Sequence, residues 1–264
     1  SIRRQRQMCI RDSFFSENEQ RQLSMVGDSL MEENYRTLTE RLESKGLSKG
    51  IAVLLYGAPG TGKTESVMQW ARQSGRDIVH VDLSASKSMW YGESEKIVKD
   101  IFTRYRQQCK RSKIKPILLF NEADGLFSKR KDMSRGSSVD QTENTIQNIL
   151  LEEMEKLDGI LIATTNLEEN LDKAFERRFL FKIRLDKPGV EAKKNIWQDK
   201  LPILSAEQAH KLASDFDFSG GEIDNIVRKT TMQEVLEGGV PTMESIVKLC
   251  SQEKVCTKNN RIGF

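Results

Sequence analysis

Cysteine and histidine are scarce in this chain of 264 residues, which has four of the first and two of the second. No CxxC pair or zinc-like spacing joins Cys9, Cys109, Cys250, Cys256, His80 and His210. That argues against a disulfide-stapled scaffold and a His/Cys metal centre, and the cysteines read as free thiols in a reducing compartment. Long hydrophobic runs are missing too, so neither a membrane-spanning helix nor an exported leader is expected and the predicted location is cytoplasmic. Charge of one sign is also lacking: 42 Lys+Arg against 39 Asp+Glu leave a formal net charge of +3, without the basic excess of a dedicated nucleic-acid binder. What the chain does have is 37% hydrophobic residues over a length that can bury a full α/β core and a small satellite domain, with no internal repeat.

The most informative run is Gly57-Ala58-Pro59-Gly60-Thr61-Gly62-Lys63-Thr64, which follows the apolar segment Ile51–Tyr56 and opens a helical pattern. Glycines at this spacing let backbone N–H groups turn inward around β- and γ-phosphates at a helix N-terminus. Lys63 adds a point charge, and the Thr64 hydroxyl can ligate Mg²⁺. The predicted ligand is Mg-ATP. Hydrolysis would also need acidic residues at the end of a neighbouring buried strand. Pro116–Phe120 is a continuous apolar run of that kind and ends in Asn121-Glu122-Ala123-Asp124, which makes Glu122 the candidate general base.

From Phe14 onward strands alternate with helices as a doubly wound sheet requires. Polar helices are expected over Glu17–Leu23 and Glu32–Glu43, and strands over Ile51–Tyr56, Ile78–Leu83, Ile117–Asn121, Leu161–Thr165 and Phe179–Leu185. Between them helices are expected over Lys63–Gln73, Glu93–Cys109 and Thr142–Lys156. Pro188-Gly189 then punctuates, and Val190–Lys200, Ala206–Ser214, Gly221–Glu237 and Thr242–Glu253 read as helices. The predicted fold is thus an α/β P-loop NTPase sandwich with a parallel five-stranded sheet over 14–187 and a four-helix lid over 188–264. Ser1–Ser13 has no initiator Met and no periodicity, resembles adaptor-derived sequence and is set aside. A truncated N-terminus is expected.

The phosphate loop and the acidic strand end, with the segments after them, resemble the AAA family of ATPases of the bacterial, unfoldase or remodeller type, over about 240 residues. The resemblance implies an ATP hydrolase. It makes Ile160–Asn166 a sensor strand whose Asn166 positions the attacking water, and Leu171–Phe179 a segment carrying arginine fingers, Arg177 and Arg178. An arginine presented to a neighbour's phosphoryl group neutralises charge developing in the transition state. Met89–Glu95 resembles a pore loop, in which Trp90 and Tyr91 grip an extended polypeptide and Gly92 supplies backbone freedom. The basic stretch Lys129-Arg130-Lys131 with Ser134–Ser138 falls where a second pore loop would lie. The implied assembly is a homohexameric ring acting on a polypeptide, and a basic pore lining keeps nucleic-acid remodelling open as the alternative.

Two positions depart from the pattern or leave it open. The family usually has Asp at the position of Asn121, which would hold a Mg²⁺-bound water. An amide contributes no formal charge there, so a slow enzyme or a nucleotide-gated scaffold is a further alternative, with Asp124 as a partial substitute. Ser219-Gly220-Gly221-Glu222 resembles the region where a lid helix starts near the adenine, with Gly221 close to the base, and equally fits a simple helix start capped by Ser219.

Overall fold

A computed structural model of the chain describes residues 15–82, 94–127, 138–167 and 171–259. The set-aside start Ser1–Ser13, the candidate pore residues Trp90, Tyr91 and Gly92 and the basic stretch 129–137 lie outside the described residues. Elements follow in the order α1 (Glu17–Leu30), α2 (Glu32–Ser44), β1 (Ile51–Tyr56), α3 (Lys63–Ser74), β2 (Ile78–Asp82), α4 (Ser94–Arg111), β3 (Ile117–Asn121) and α5 (Asp124–Phe127). They continue with α6 (Ser138–Glu155), β4 (Ile160–Thr165), α7 (Lys173–Glu176), β5 (Phe181–Arg184), α8 (Val190–Lys200), α9 (Ala206–Asp215), α10 (Gly220–Glu237) and α11 (Met243–Asn259). Among the described residues they form two compact units, one of 21–58 and 63–185, the other of 15–20, 59–62 and 186–259.

The first unit is built on a parallel five-stranded sheet in the order β2-β3-β4-β1-β5. Parallel strands are covered on both faces, which is why β1, β3 and β4 read as unbroken apolar runs and are buried almost throughout. The side chains of α4 and α6 close one face around Phe102, Tyr105, Phe120, Ile146 and Leu150. Phe127 packs edge-on against Phe175 and Phe179, with ring centroids at 4.9 and 5.4 Å, and so fixes the short α5 beside α7. Several expected boundaries move. α1 runs to Leu30 rather than Leu23, because Val26 and Leu30 continue the buried stripe begun by Leu23, and α11 runs to Asn259 rather than Glu253, with no glycine or proline before Gly263. α6 begins at Ser138 rather than Thr142, because no glycine or proline after Gly136 stops it. β5 begins at Phe181 rather than Phe179, because Phe179 turns into the core.

The start of the sheet is tied by buried polar groups. Arg76, just before β2, donates from Nε to Leu30 O at 2.8 Å, from Nη1 to Lys115 O at 2.7 Å and from Nη2 to Glu32 Oε2 at 2.8 Å. Its guanidinium stacks over the Tyr35 ring at 4.6 Å. The Tyr105 hydroxyl lies 2.9 Å from Pro116 O and accepts the Ile160 N–H at 2.8 Å. Burial pushes the Tyr105 phenol well above its ordinary value and also raises the neighbouring Cys109 thiol.

The second unit contains the helical C-terminal region. Ile196, Trp197, Leu212, Ile223, Ile226 and Ile246 make its core, where burial pushes the Cys250 thiol up to about 12. α9 and α10 each start in a capping box, Ser205 with Gln208 and Ser219 with Glu222, which satisfies otherwise orphaned backbone donors. α10 stops at Gly238, whose φ of 71° suits a left-handed C-cap. Cys109 and Cys250 are free thiols. Among the described residues no helix is long and apolar enough to cross a membrane.

Candidate functional site

Parallel strands bring their carboxyl ends to one edge of a sheet, where ligands of open α/β folds bind. Here β1, β3 and β4 end side by side, with Asn121 leaving β3 and Thr165 closing β4. Gly57 and Ala58 leave β1, and Lys63 and Thr64 open α3. The buried Lys63 ammonium donates to Gly57 O and Ala58 O, both at 2.8 Å, so its charge sits inside the turn of the loop. Gly57 has φ 133°, and a Cβ there would stand 2.2 Å from Leu185 O, so no other residue fits.

Asn121 and Thr64 meet at this edge. The Thr64 hydroxyl donates to Asn121 Oδ1 at 2.8 Å, and the Thr164 hydroxyl donates to the same oxygen at 3.0 Å. Thr164 is 1% exposed, and its Oγ1 also accepts the Glu122 N–H at 3.1 Å. Glu122 itself is exposed and has φ 53°, the one left-handed non-glycine residue among the described residues. A glutamate gains nothing intrinsic from that conformation, which costs about 1–2 kcal/mol for an L-residue. Backbone strain of this kind collects where surrounding bonds hold a side chain in a required direction.

Asp124 takes a different place from the one expected of it. Its Oδ1 accepts from the Thr165 hydroxyl at 2.6 Å and from Asn166 N at 2.8 Å, while Oδ2 accepts from Asn166 Nδ2 at 3.3 Å. The carboxylate is therefore turned to the end of β4 and anchors the exposed Asn166, rather than standing in for the charge missing at Asn121. Both Asp124 and Thr164 bond across more than forty positions of sequence, and no local pattern announces such pairs. The one available signal was the doubled Thr164-Thr165 at a strand end facing an acidic turn.

The two candidate arginines separate. Arg178 is bonded to Glu155 and donates to Ala174 O at 3.4 Å, so its fork is used within its own unit. Arg177 is exposed at the end of α7, and no side-chain bond holds it among the described residues.

In the other unit, the loop residue Gly60 (φ 76°) lies against the start of α10. A Cβ at Gly60 would stand 2.6 Å from Ser219 Oγ, one at Gly221 would stand 3.1 Å from Gly60 Cα, and Gly221 N donates to Gly60 O at 3.1 Å. Glycine at 60 and 221 is what permits this approach. Ser219 is the N-cap of α10 as well, so the capped helix start and the close backbone approach coexist. Phe15 also reaches this loop: a Cβ on Gly62 would lie 3.5 Å from its ring. Nothing in the pattern around Phe15 signalled it.

The residues present fit Mg-ATP. Glycines with φ 133°, 76° and 91° at 57, 60 and 62 open the loop backbone, Lys63 supplies charge, and a Thr64 hydroxyl bonded through its hydrogen keeps a lone pair for a cation. The profile of the "ATPase family associated with various cellular activities (AAA)" matches residues 53–187. Fidgetin-like protein 1 of Homo sapiens is 30% identical over 203 residues, covering 71% of this chain and 28% of that protein. Vacuolar protein sorting-associated protein 4 of Dictyostelium discoideum is 30% identical over 193 residues, covering 69% and 41%. Proteasome-activating nucleotidase of Sulfurisphaera tokodaii is 29% identical over 235 residues, covering 84% and 57%. The chain thus spans from about a quarter to under three fifths of the length of such relatives.

Proposed function

The chain belongs to the AAA family of ATPases, and on that premise we propose that it binds Mg-ATP, hydrolyses it and uses the cycle to remodel a polypeptide. The observation that carries the hydrolytic part is the network at the sheet edge, in which Thr64, Asn121, Thr164 and Glu122 are joined by successive hydrogen bonds. Mg²⁺, when bound, supplies charge neutralisation at the β- and γ-phosphates. The protein's own contribution is positional. Lys63 and the loop N–H groups hold phosphate oxygens, and Thr64, with Asn121 behind it, holds the metal side. Glu122 accepts the proton of the attacking water, and Asn166, anchored on Asp124, orients that water.

Arg177 is the residue we place at a neighbouring subunit's γ-phosphate, since Arg178 is committed to Glu155. Sites shared in this way require assembly, for which a homohexameric ring is the proposed form, with Trp90 and Tyr91 gripping substrate in the channel and Gly92 as their flexible neighbour. The relatives' names speak of vacuolar sorting and of proteasome activation, which favours a protein client over nucleic acid, and the near-neutral net charge points the same way.

The deciding experiment is steady-state ATPase across protein concentration, with Asn121→Asp and Arg177→Ala alongside. Turnover per protomer should rise with concentration, and Arg177→Ala should lower it by about 10³-fold. Flat turnover with an unaffected Arg177→Ala variant would remove the shared site. One observation supports a second reading, a nucleotide-gated scaffold: Asn121 brings no charge to the metal side. Tight ATP binding without turnover, restored by Asn121→Asp, would establish it. Stimulation by DNA or RNA with steep salt dependence, in place of stimulation by unfolded protein, would instead identify a nucleic-acid client.

A further inference from the structure

We propose that Thr164 is a positioning residue that governs both Asn121 and Glu122, fixing which way the Asn121 amide faces. The inference rests on the hydrolytic reading above for its consequence in turnover, but on the structure alone for its geometry. An asparagine has one side-chain oxygen with two acceptor positions, and its other corner is an NH₂ that can only donate. Two hydroxyls, Thr64 at 2.8 Å and Thr164 at 3.0 Å, donate to that oxygen. Both acceptor positions are filled, so the amide has one facing, with oxygen toward the two threonines. Without Thr164 the side chain would be held by one bond and could rotate to present its NH₂ to Thr64.

The same Thr164 oxygen accepts the Glu122 N–H at 3.1 Å. Glu122 is the left-handed residue of this edge, with φ 53°, and a backbone in that conformation relaxes unless a bond opposes it. Thr164 is thus the middle of a relay running from Glu122 N–H to Thr164, from Thr164 to Asn121, and from Thr64 to Asn121. Its hydroxyl gives its one hydrogen to Asn121 and uses a lone pair for Glu122. A hydroxyl can do both and an apolar side chain neither. Because Thr164 is buried at the end of β4, paired in register with Leu55, it has no freedom to leave this arrangement.

The test uses Thr164→Val, which keeps the branched shape and removes the hydroxyl, and Thr164→Ser, which keeps the hydroxyl. Amide hydrogen exchange of Glu122 in the nucleotide-free protein should quicken about tenfold in Thr164→Val and stay within about threefold of wild type in Thr164→Ser. Turnover should fall about tenfold or more in Thr164→Val with KM for ATP changed less than about threefold, and Thr164→Ser should restore it. Asn121→Asp should leave Glu122 exchange near wild type, because a carboxylate still accepts both hydroxyls. If Thr164→Val does not fold, Thr164→Ala against Thr164→Ser gives the same contrast, differing by the hydroxyl alone. Unchanged exchange in the hydroxyl-free variant overturns the proposal, and so does quickened exchange with unchanged turnover. If wild type shows no turnover at all, the hydrolytic reading fails by itself, and the exchange contrast still decides whether Thr164 holds Glu122.

Discussion

Where β3 and β4 finish, threonine, asparagine and aspartate side chains bond one another and Glu122 and Asn166 are exposed, whereas where the strands begin, the buried Arg76 and Tyr105 bond mainly to backbone groups. The finishing edge holds a strained glutamate, a hydroxyl relay and a carboxylate turned toward an amide. The starting edge holds Arg76 across three partners and Tyr105 between β3 and β4. On the function proposed above, polar groups at the first edge serve a ligand. At the second they satisfy backbone that would otherwise be buried without partners. Substitutions at the two edges should therefore fall on different quantities, turnover at one and stability at the other.

Among substitutions at the two edges, the largest effect belongs to Glu122→Gln. Removing the base should lower ATP turnover about 10²-fold or more while leaving ATP binding intact, since the general base contributes on that scale. Unfolding free energy should move by less than about 0.5 kcal/mol, as for an exposed side chain. Turnover within threefold of wild type in that variant would remove Glu122 from its role and, with it, the distinction between the edges.

Arg76→Ala comes next, read on stability. It strands Leu30 O and Lys115 O and breaks the pair with Glu32, so a loss of about 3 kcal/mol is expected in urea unfolding. Arg76→Lys should recover less than half of it, because a point charge cannot serve three directions in the way a planar fork does. Turnover per folded protomer should hold. A loss under about 1 kcal/mol would mean the clamp is ornamental to the fold.

Much of this architecture was legible in the sequence, and the residues explain why. Ile51–Tyr56, Ile117–Phe120 and Ile160–Ala163 are apolar runs because strands buried on both faces need them, and the run from Gly57 to Thr64 marks the loop they support. Glu122 stood out because it follows such a strand. The polar relay did not, because Thr164 and Asp124 act on partners more than forty positions away, and a threonine at a strand end is ordinary by itself. Arg76 escaped notice for the same reason. The two adjacent arginines looked alike in sequence and differ through Glu155, which packing brings to Arg178 and leaves Arg177 exposed.

Tyr105→Phe should have a smaller effect of the same kind as Arg76→Ala. The phenyl ring keeps its packing, but Ile160 N–H loses its acceptor, so about 1–2 kcal/mol of stability should go without loss of turnover in the folded protein. Gly159 sharpens the point, since a Cβ there would stand 2.4 Å from the Tyr105 hydroxyl, so the strand start is shaped around that oxygen. A stability change below about 0.3 kcal/mol would show that water replaces the hydroxyl, and the starting edge would then be less closed than it looks.

The smallest predicted effect runs opposite in sign. Glu122→Gly places at φ 53° the one residue type that adopts it without steric cost, which favours the folded state, while the added freedom of glycine in the unfolded chain opposes it. The difference should leave the variant as stable as wild type or up to about 1 kcal/mol more stable, with turnover lost as in Glu122→Gln. Thermal unfolding of wild type, Glu122→Gln and Glu122→Gly together separates the two contributions, because the glutamine variant removes the charge and keeps the strain. If Glu122→Gly is clearly less stable than Glu122→Gln, the left-handed backbone is not strained in this setting. The finishing edge would then differ from the starting edge in its chemistry alone, and no longer in the energy stored in its backbone.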